Sequence, residues 1–225
     1  MAYQDPTFFG VTYAARLFGE IETSNTLATL RHATGERPDL RNREHAQALL
    51  EWLNSWGCRI TKEAFPGISD NLAEWCHERK FPSGEIHELQ DRELDALTGA
   101  SQGLLAIREF GPTVASKALF VLCPGAAIPW DAAIQQEFGL VGSAPEKYRE
   151  MLVLSGREAA GLIADAAHCG VSDHRTIPSI VKSHAVTLPE LLDEYHWITI
   201  TRRHTIPSSD DLKRWLAWAC REVVT

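Results

Sequence analysis

Three times along the chain a Ser or Thr stands three residues ahead of an acid, just where apolar residues begin to recur at helical spacing: Ser143 with Glu146, Thr187 with Glu190, and Ser208 with Asp211. In such a pair the hydroxyl accepts the N–H of the third helical residue and the acid accepts the N–H of the cap. Two of the four donors left open at a helix start are thereby satisfied. Pro145 and Pro189 fall in the first turns of two of these segments, where a missing N–H costs little. Sustained alternation is scarce. Only Trp197 to Arg202, WITITR, carries it, and a strand or an irregular extended piece is expected there. The expected fold class is therefore mainly all-α.

Periodicity and breakers divide the rest. Phe8, Phe9, Val11, Tyr13, Leu17, Phe18 and Ile21 are compatible with a short helix or a strand. Asn42 caps a helix that buries Ala46, Leu49, Leu50 and Leu53 and stops at Gly57. Ser69 or Asp70 opens a short helix with Leu72, Trp75 and Cys76 facing inward. A helix is expected around Leu89 to Leu97 and another, after TGASQG, from Leu104 to Phe110. Gly111, tolerant of positive φ, and Pro112, with φ preset for a helix, then lead into a helix from Thr113 to Leu122. Cys123 to Pro129 reads as a compact loop, and Asp131 as the start of a helix carrying Ile134 and Phe138. The long helix behind Ser143 fades near Cys169 and Gly170, Pro178 interrupts 172–183, and the Ser208 box heads a helix with Leu212, Trp215, Leu216 and Ala219. The chain reads as a single helical unit, 1–225, with a division into lobes 1–100 and 101–225 near Gly99 to Gly103 as the alternative.

A chain of 225 residues, 44% hydrophobic and 23% charged, can bury a substantial core. With 22 Lys plus Arg against 30 Asp plus Glu its formal charge is -8, so it repels nucleic acid and anionic membranes at long range. Any nucleic-acid contact must be local. Arg202, Arg203, His204, Lys213 and Arg214 form the best basic patch, diluted by Asp210 and Asp211. It reads either as a DNA-backbone contact or as a solvated loop and helix face. The five cysteines are widely spaced without a CxxC pair, so reduced thiols and no metal knuckle are expected. His168 and His174, taken with Asp165 or Asp173, match no established ligand spacing. Walker A, dinucleotide and nucleophile-elbow motifs do not occur. Asp5 and the lack of an early basic cluster argue against a secretory signal, and no apolar run approaches spanning length; the expectation is a cytoplasmic protein away from membranes.

The richest segment is GPTVASKALFVLCPGAAIPWDAAI, Gly111 to Ile134. A glycine turn between two helices exposes backbone N–H groups at the second helix start, where they and the helix dipole can hold a phosphate oxygen with little basic surface. Lys117, one turn further on, and Arg108, before the turn, are candidates to reinforce that contact. Lys117 also reads as a solvated or snorkelling lysine. Asp131 reads either as an N-cap or as an active-site acid, and Trp130 as a pocket wall or a core residue.

These residues resemble the hairpin-and-aspartate segment of the helix-hairpin-helix DNA glycosylases. Gly111 matches the last hairpin glycine, Ala115 the small residue of the following helix, Pro129 the proline before the catalytic position, and Asp131 the catalytic aspartate. The spacing from Gly111 to Asp131 is also similar, over about one ninth of the chain. Arg108-Glu109-Phe110-Gly111 keeps only the last glycine of the usual pattern of apolar residue, proline, glycine, variable residue, glycine. The Schiff-base lysine of bifunctional members falls at Thr113, and no four-cysteine cluster motif is present. The segment is also similar to bacterial proteins carrying GPTxASK followed by PWD, a likeness that supplies no chemistry.

The resemblance implies a monofunctional glycosylase acting on DNA without a cofactor or metal. Asp131 would stabilise the sugar cation and position water, Gly111 and Thr113 would hold a phosphate, and Trp130 would line the base pocket; from their charge alone, Lys117, Arg202 and Arg203 are further phosphate candidates. Two other readings stand beside it: a non-catalytic DNA-binding module of the same architecture, and a helical component of an antiviral defence or toxin system with a protein partner.

Overall fold

The computed structural model describes residues 3–22, 24–77, 79–181, 184–208 and 210–214. These are helical with short 3₁₀ turns and contain no strand: α1 (Phe8–Ile21), α2 (Thr26–Thr34), α3 (Arg43–Ser55), α4 (Phe65–Cys76), α5 (Asp91–Leu105), α6 (Pro112–Leu122), α7 (Ala132–Glu137), α8 (Ala144–His168), α9 (Ile177–Val181) and α10 (Leu188–His196). The capping signals act as their chemistry dictates. Asn42 accepts the Glu44 N–H at 2.9 Å, and boxes close on Ser143–Glu146 and Thr187–Glu190. In the Ser208 box the Asp211 N–H reaches Ser208 Oγ at 3.1 Å, while Trp215, Leu216 and Ala219 lie outside the described residues.

α6 lies deep in the core, with every residue from Val114 to Leu122 buried. It packs on α5 and α3, and α5 in turn packs on the long α8. One apolar cluster joins Val11 in α1 to Ile206 near the last described residues. Large apolar side chains such as Leu119, Phe120 and Leu122 each contribute roughly 1.5–3 kcal/mol by leaving water. α1 and α10 pack on each other, and the cavity described below opens between them, α6 and α7.

Several elements depart from the sequence expectation, each for a packing reason. In place of the helices expected at Leu89–Leu97 and Leu104–Phe110 there is one helix, α5, which runs unbroken through TGASQG and ends at Leu105, and residues 106–110 form the turn into α6. The buried Ala100, Ser101 and Leu104 of α5 keep the segment on the core. Gly103 serves close packing there, since a Cβ at that position would meet the Trp75 indole at 2.6 Å. α4 starts at Phe65 rather than at Ser69 or Asp70, with Pro66 in its first turn and both Phe65 and Ile68 buried. Pro178 likewise sits at the start of a helix, α9, instead of interrupting one.

WITITR is neither strand nor extended. Residues Trp197–Thr201 continue α10 as a π-helical turn in which Arg202 N–H reaches Trp197 O at 2.8 Å. The widened turn buries both Ile198 and Ile200, so the alternation arose from two apolar residues of a helix.

At the hairpin between α5 and α6 the left-handed residue is Glu109 (φ 73), not Gly111, whose φ of -86 any residue adopts. A Cβ at Gly111 would meet nothing within 4 Å. Glu109 is held in this conformation by Thr61, whose N–H and Oγ–H both reach its carboxylate at 2.9 Å. Those two hydrogen bonds, the backbone N–H first, hold the Glu109 carboxyl below its ordinary range.

Candidate functional site

Two polar residues interrupt the apolar run of α6, and both are used. Ser116 Oγ donates to Thr113 O at 3.0 Å and accepts the Trp130 N–H at 3.2 Å. The Trp130 indole N–H reaches Pro112 O at 3.2 Å. The first turn of α6 is thus tied twice to the residue before Asp131, which fixes the spacing between the hairpin and that carboxylate. Trp130 is 2% exposed and stacks obliquely on Tyr148, whose hydroxyl donates to Ile128 O at 3.2 Å.

Asp131 is the N-cap of α7. Its Oδ1 accepts the Ile134 N–H at 2.9 Å and its Oδ2 the Thr201 hydroxyl at 2.7 Å. The cap is only part of its surroundings, because the half-buried carboxylate borders a cavity of about 440 Å³. Each carboxylate oxygen retains a second lone-pair direction for a ligand or water. Thr113, Lys117, Pro129 and Trp130 line the same cavity, with Trp56 and Trp197 completing an aromatic wall. Gly111 has no side chain to cap α6, and the first-turn amides receive no side-chain cap.

Lys117 is not solvated. It is 9% exposed, donates to Trp56 O at 3.0 Å and lies 5.1 Å from the centroid of the Trp56 ring. A buried ammonium needs such partners, and a carbonyl with an aromatic face supplies them. Around it the cavity places five acids, Glu22, Asp131, Glu190, Asp193 and Glu194. Glu190 is engaged by Arg31 and by the Thr187 N–H. Burial pushes the Asp193 carboxyl up to about 7 from 3.8, against the pull of Lys117 and His196 and with the help of Asp131 and Glu190.

The structure therefore brings Thr113, Lys117, Trp130 and Asp131 to one cavity. The C-terminal arginines stand apart. Arg202 is exposed with its guanidinium 4.4 Å from the ring centroid of Trp197, itself on the cavity wall. Arg203, also exposed, lines a separate cavity of about 600 Å³ with Tyr3, Tyr195 and His204.

Sequence reasoning missed Thr201, Asp193 and Trp197. Thr201 was hidden by the strand-like pattern, and Asp193 reads as one more acid on a helix face. Among the described residues no group of three or more His, Cys, Asp or Glu is placed to hold a metal ion, and no helix is long and apolar enough to cross a membrane. The four described cysteines are unpaired, and burial pushes the Cys123 thiol up to about 12, as befits a packing residue.

The class these features define is an all-α protein with an acid-rich, aromatic-walled cavity beside a helical hairpin. No protein-family model, curated protein or solved structure matches the chain.

Proposed function

We propose that the protein is a monofunctional DNA glycosylase that releases a modified or damaged base. The observation that carries this reading is the meeting of Asp131 and the uncapped first turn of α6 at one cavity, coupled through Ser116 and Trp130. A phosphate at the N–H groups of Gly111 and Thr113 would anchor the strand, and an extruded nucleotide would enter beside Trp130 and Trp56. Cleaving the glycosidic bond builds positive charge on the sugar. A fixed carboxylate such as Asp131 stabilises that charge and orients water. The size of the cavity also suits a base, since small-molecule sites begin near roughly 300 Å³.

Two details support the hairpin. Glu109, left-handed at φ 73, occupies the position of the first glycine in the hairpin pattern this segment resembles, a conformation a glycine there would adopt readily. Lys117, held against Trp56, assists by charge rather than as a covalent nucleophile. The test is base release from duplexes carrying a panel of modified bases, read as alkali-sensitive abasic sites. Wild type produces them, and Asp131→Asn, which retains an oxygen to cap α7, does not. An Asp131→Asn protein as fast as wild type would exclude the mechanism.

A second reading, a non-catalytic DNA-binding module, draws on Arg202 and Arg203, both exposed. It requires salt-sensitive binding that falls when both arginines are replaced and ignores Asp131.

A further inference from the structure

The cavity has a second carboxyl group whose surroundings differ from those of Asp131. Asp193 lies on α10 and is half-buried on the cavity wall. Among the described residues nothing hydrogen-bonds to its carboxylate, whereas both oxygens of Asp131 and the carboxylate of Glu190 are held. A carboxyl group in a low-dielectric wall without a donor is stabilised in its neutral, protonated form, which can itself donate. We propose that Asp193 is the proton donor to the departing base, a second reacting group in the cavity that holds Asp131; this rests on the base-release reading.

The division of labour follows from the hydrogen bonds. Asp131 is fixed by the Ile134 amide and the Thr201 hydroxyl, as a group facing a developing cation must be. Asp193 is free of such anchors and can gain and lose a proton without breaking one. The charged groups that face it are Lys117 on α6, Asp131 ahead of α7, and Glu190 and His196 on its own helix. Beyond these, Glu22 at the end of α1, His184 and Glu194 also border the cavity, Arg31 on α2 pairs with Glu190, and Glu158 on α8 pairs with His196. Burial outweighs the pull of Lys117 and His196 and holds the carboxyl up to about 7.

In the reaction the bond between the sugar anomeric carbon and the base nitrogen breaks, its electron pair passing into the base. The Asp193 proton lands on a base nitrogen, water oxygen bonds to the anomeric carbon, and the proton of that water passes to Asp131. Exchange with solvent frees Asp131 and reprotonates Asp193, so one water is added across the bond and nothing is oxidised or reduced.

The test compares two kinds of leaving group in duplex DNA: neutral modified bases, which need a proton to depart well, and an N7-methylated purine, which carries a positive charge and leaves as a neutral molecule. Wild type should release a neutral base with a rate that falls about tenfold per pH unit above about 7, and should show no such limb on the N7-methylated base. Asp193→Asn should slow release of the neutral base on the order of 10²-fold and remove the limb, with a loss at least about tenfold smaller on the N7-methylated base. Equal losses on both, or an Asp193→Asn profile that keeps the limb, overturn the assignment. Should that variant fail to fold, the wild-type profiles decide alone: a limb on both substrates, or on neither, overturns it. A wild type inactive on the whole panel removes the base-release reading and this one together, whereas an active wild type with an indifferent Asp193 removes this one only.

Discussion

Two polar clusters meet α10, one at His196 and one at Asp193, and are built on opposite principles. In the first, the Tyr3 hydroxyl donates to Glu158 Oε1, and His196 Nε2 lies 3.0 Å from Glu158 Oε2 and 3.2 Å from the Tyr3 hydroxyl. His196 is 0% exposed and Glu158 9%, with both carboxylate oxygens occupied. Burial and the Glu158 charge push the Tyr3 phenol upward, so it remains a donor. In the second, Lys117, Asp131 and Asp193 share a cavity wall, and one of the two carboxylates has no donor among the described residues. In the first cluster the carboxylate is saturated, and only His196 Nδ1 is buried without a partner among the described residues, an arrangement that specifies packing. A carboxylate left without a donor beside a cavity keeps capacity for a ligand and carries its cost in stability.

The comparison can be tested from its structural side first, where the largest effect is expected. Glu158→Ala leaves Tyr3 and His196 without their shared acceptor and should destabilise the fold by about 3–5 kcal/mol, measured by urea denaturation, while the folded fraction keeps its rate of base release. A slow reaction in fully folded Glu158→Ala would join the two clusters into one site. On the cavity side Asp131→Asn should reduce base release by about 10²–10³-fold or more, with a change in melting temperature no larger than loss of a surface cap gives. Unfolding in proportion to the lost activity would return Asp131 to a purely structural role.

Replacing Arg202 and Arg203 together with Ala should reduce the salt slope of DNA binding by about two, one phosphate contact for each. An unchanged slope would place the phosphate contacts at the α6 turn alone.

The pH dependence of stability offers a smaller but sharper distinction. Asp193 has a folded value of about 7 against 3.8 for the ordinary carboxyl. The folded state thus binds the proton more tightly, and its contribution is fully present below 3.8 and lost as pH rises through about 7. Asp193→Asn should escape that loss and gain about 1 kcal/mol relative to wild type between pH 5 and pH 8, a discounted figure for a half-buried group. A gain that is the same at both pH values would show that Asp193 titrates elsewhere. Last, Ser116→Ala should cost about 1 kcal/mol by removing the acceptor of the Trp130 N–H. It should lower the rate of release more than substrate affinity, since it loosens the tie between α6 and Asp131.

Much of the architecture was legible because helix starts are chemically local. Asn42, Ser143 and Thr187 cap the helices expected of them, and Asp131 caps α7. What failed were features whose meaning depends on a distant neighbour. Gly103 looks like a break until Trp75 packs against it, and WITITR looks like a strand until α10 continues through it. For Lys117 the sequence leaves phosphate binding, solvation and snorkelling open, because its partner, the Trp56 carbonyl, is 61 residues away.

The cavity shows the same division. The order of turn, apolar helix, proline, tryptophan and aspartate lies within one segment, and the sequence determined by itself that a carboxylate would follow the hairpin at a set interval. Capping and turn formation involve residues only a few positions apart, so local order suffices for them. That Asp131 faces Thr201, that five acids surround one buried lysine, and that Asp193 stands there without a donor were decided by how α1, α6 and α10 pack. Dielectric surroundings and hydrogen-bond partners belong to the assembled volume, and that volume forms only when distant segments leave water together.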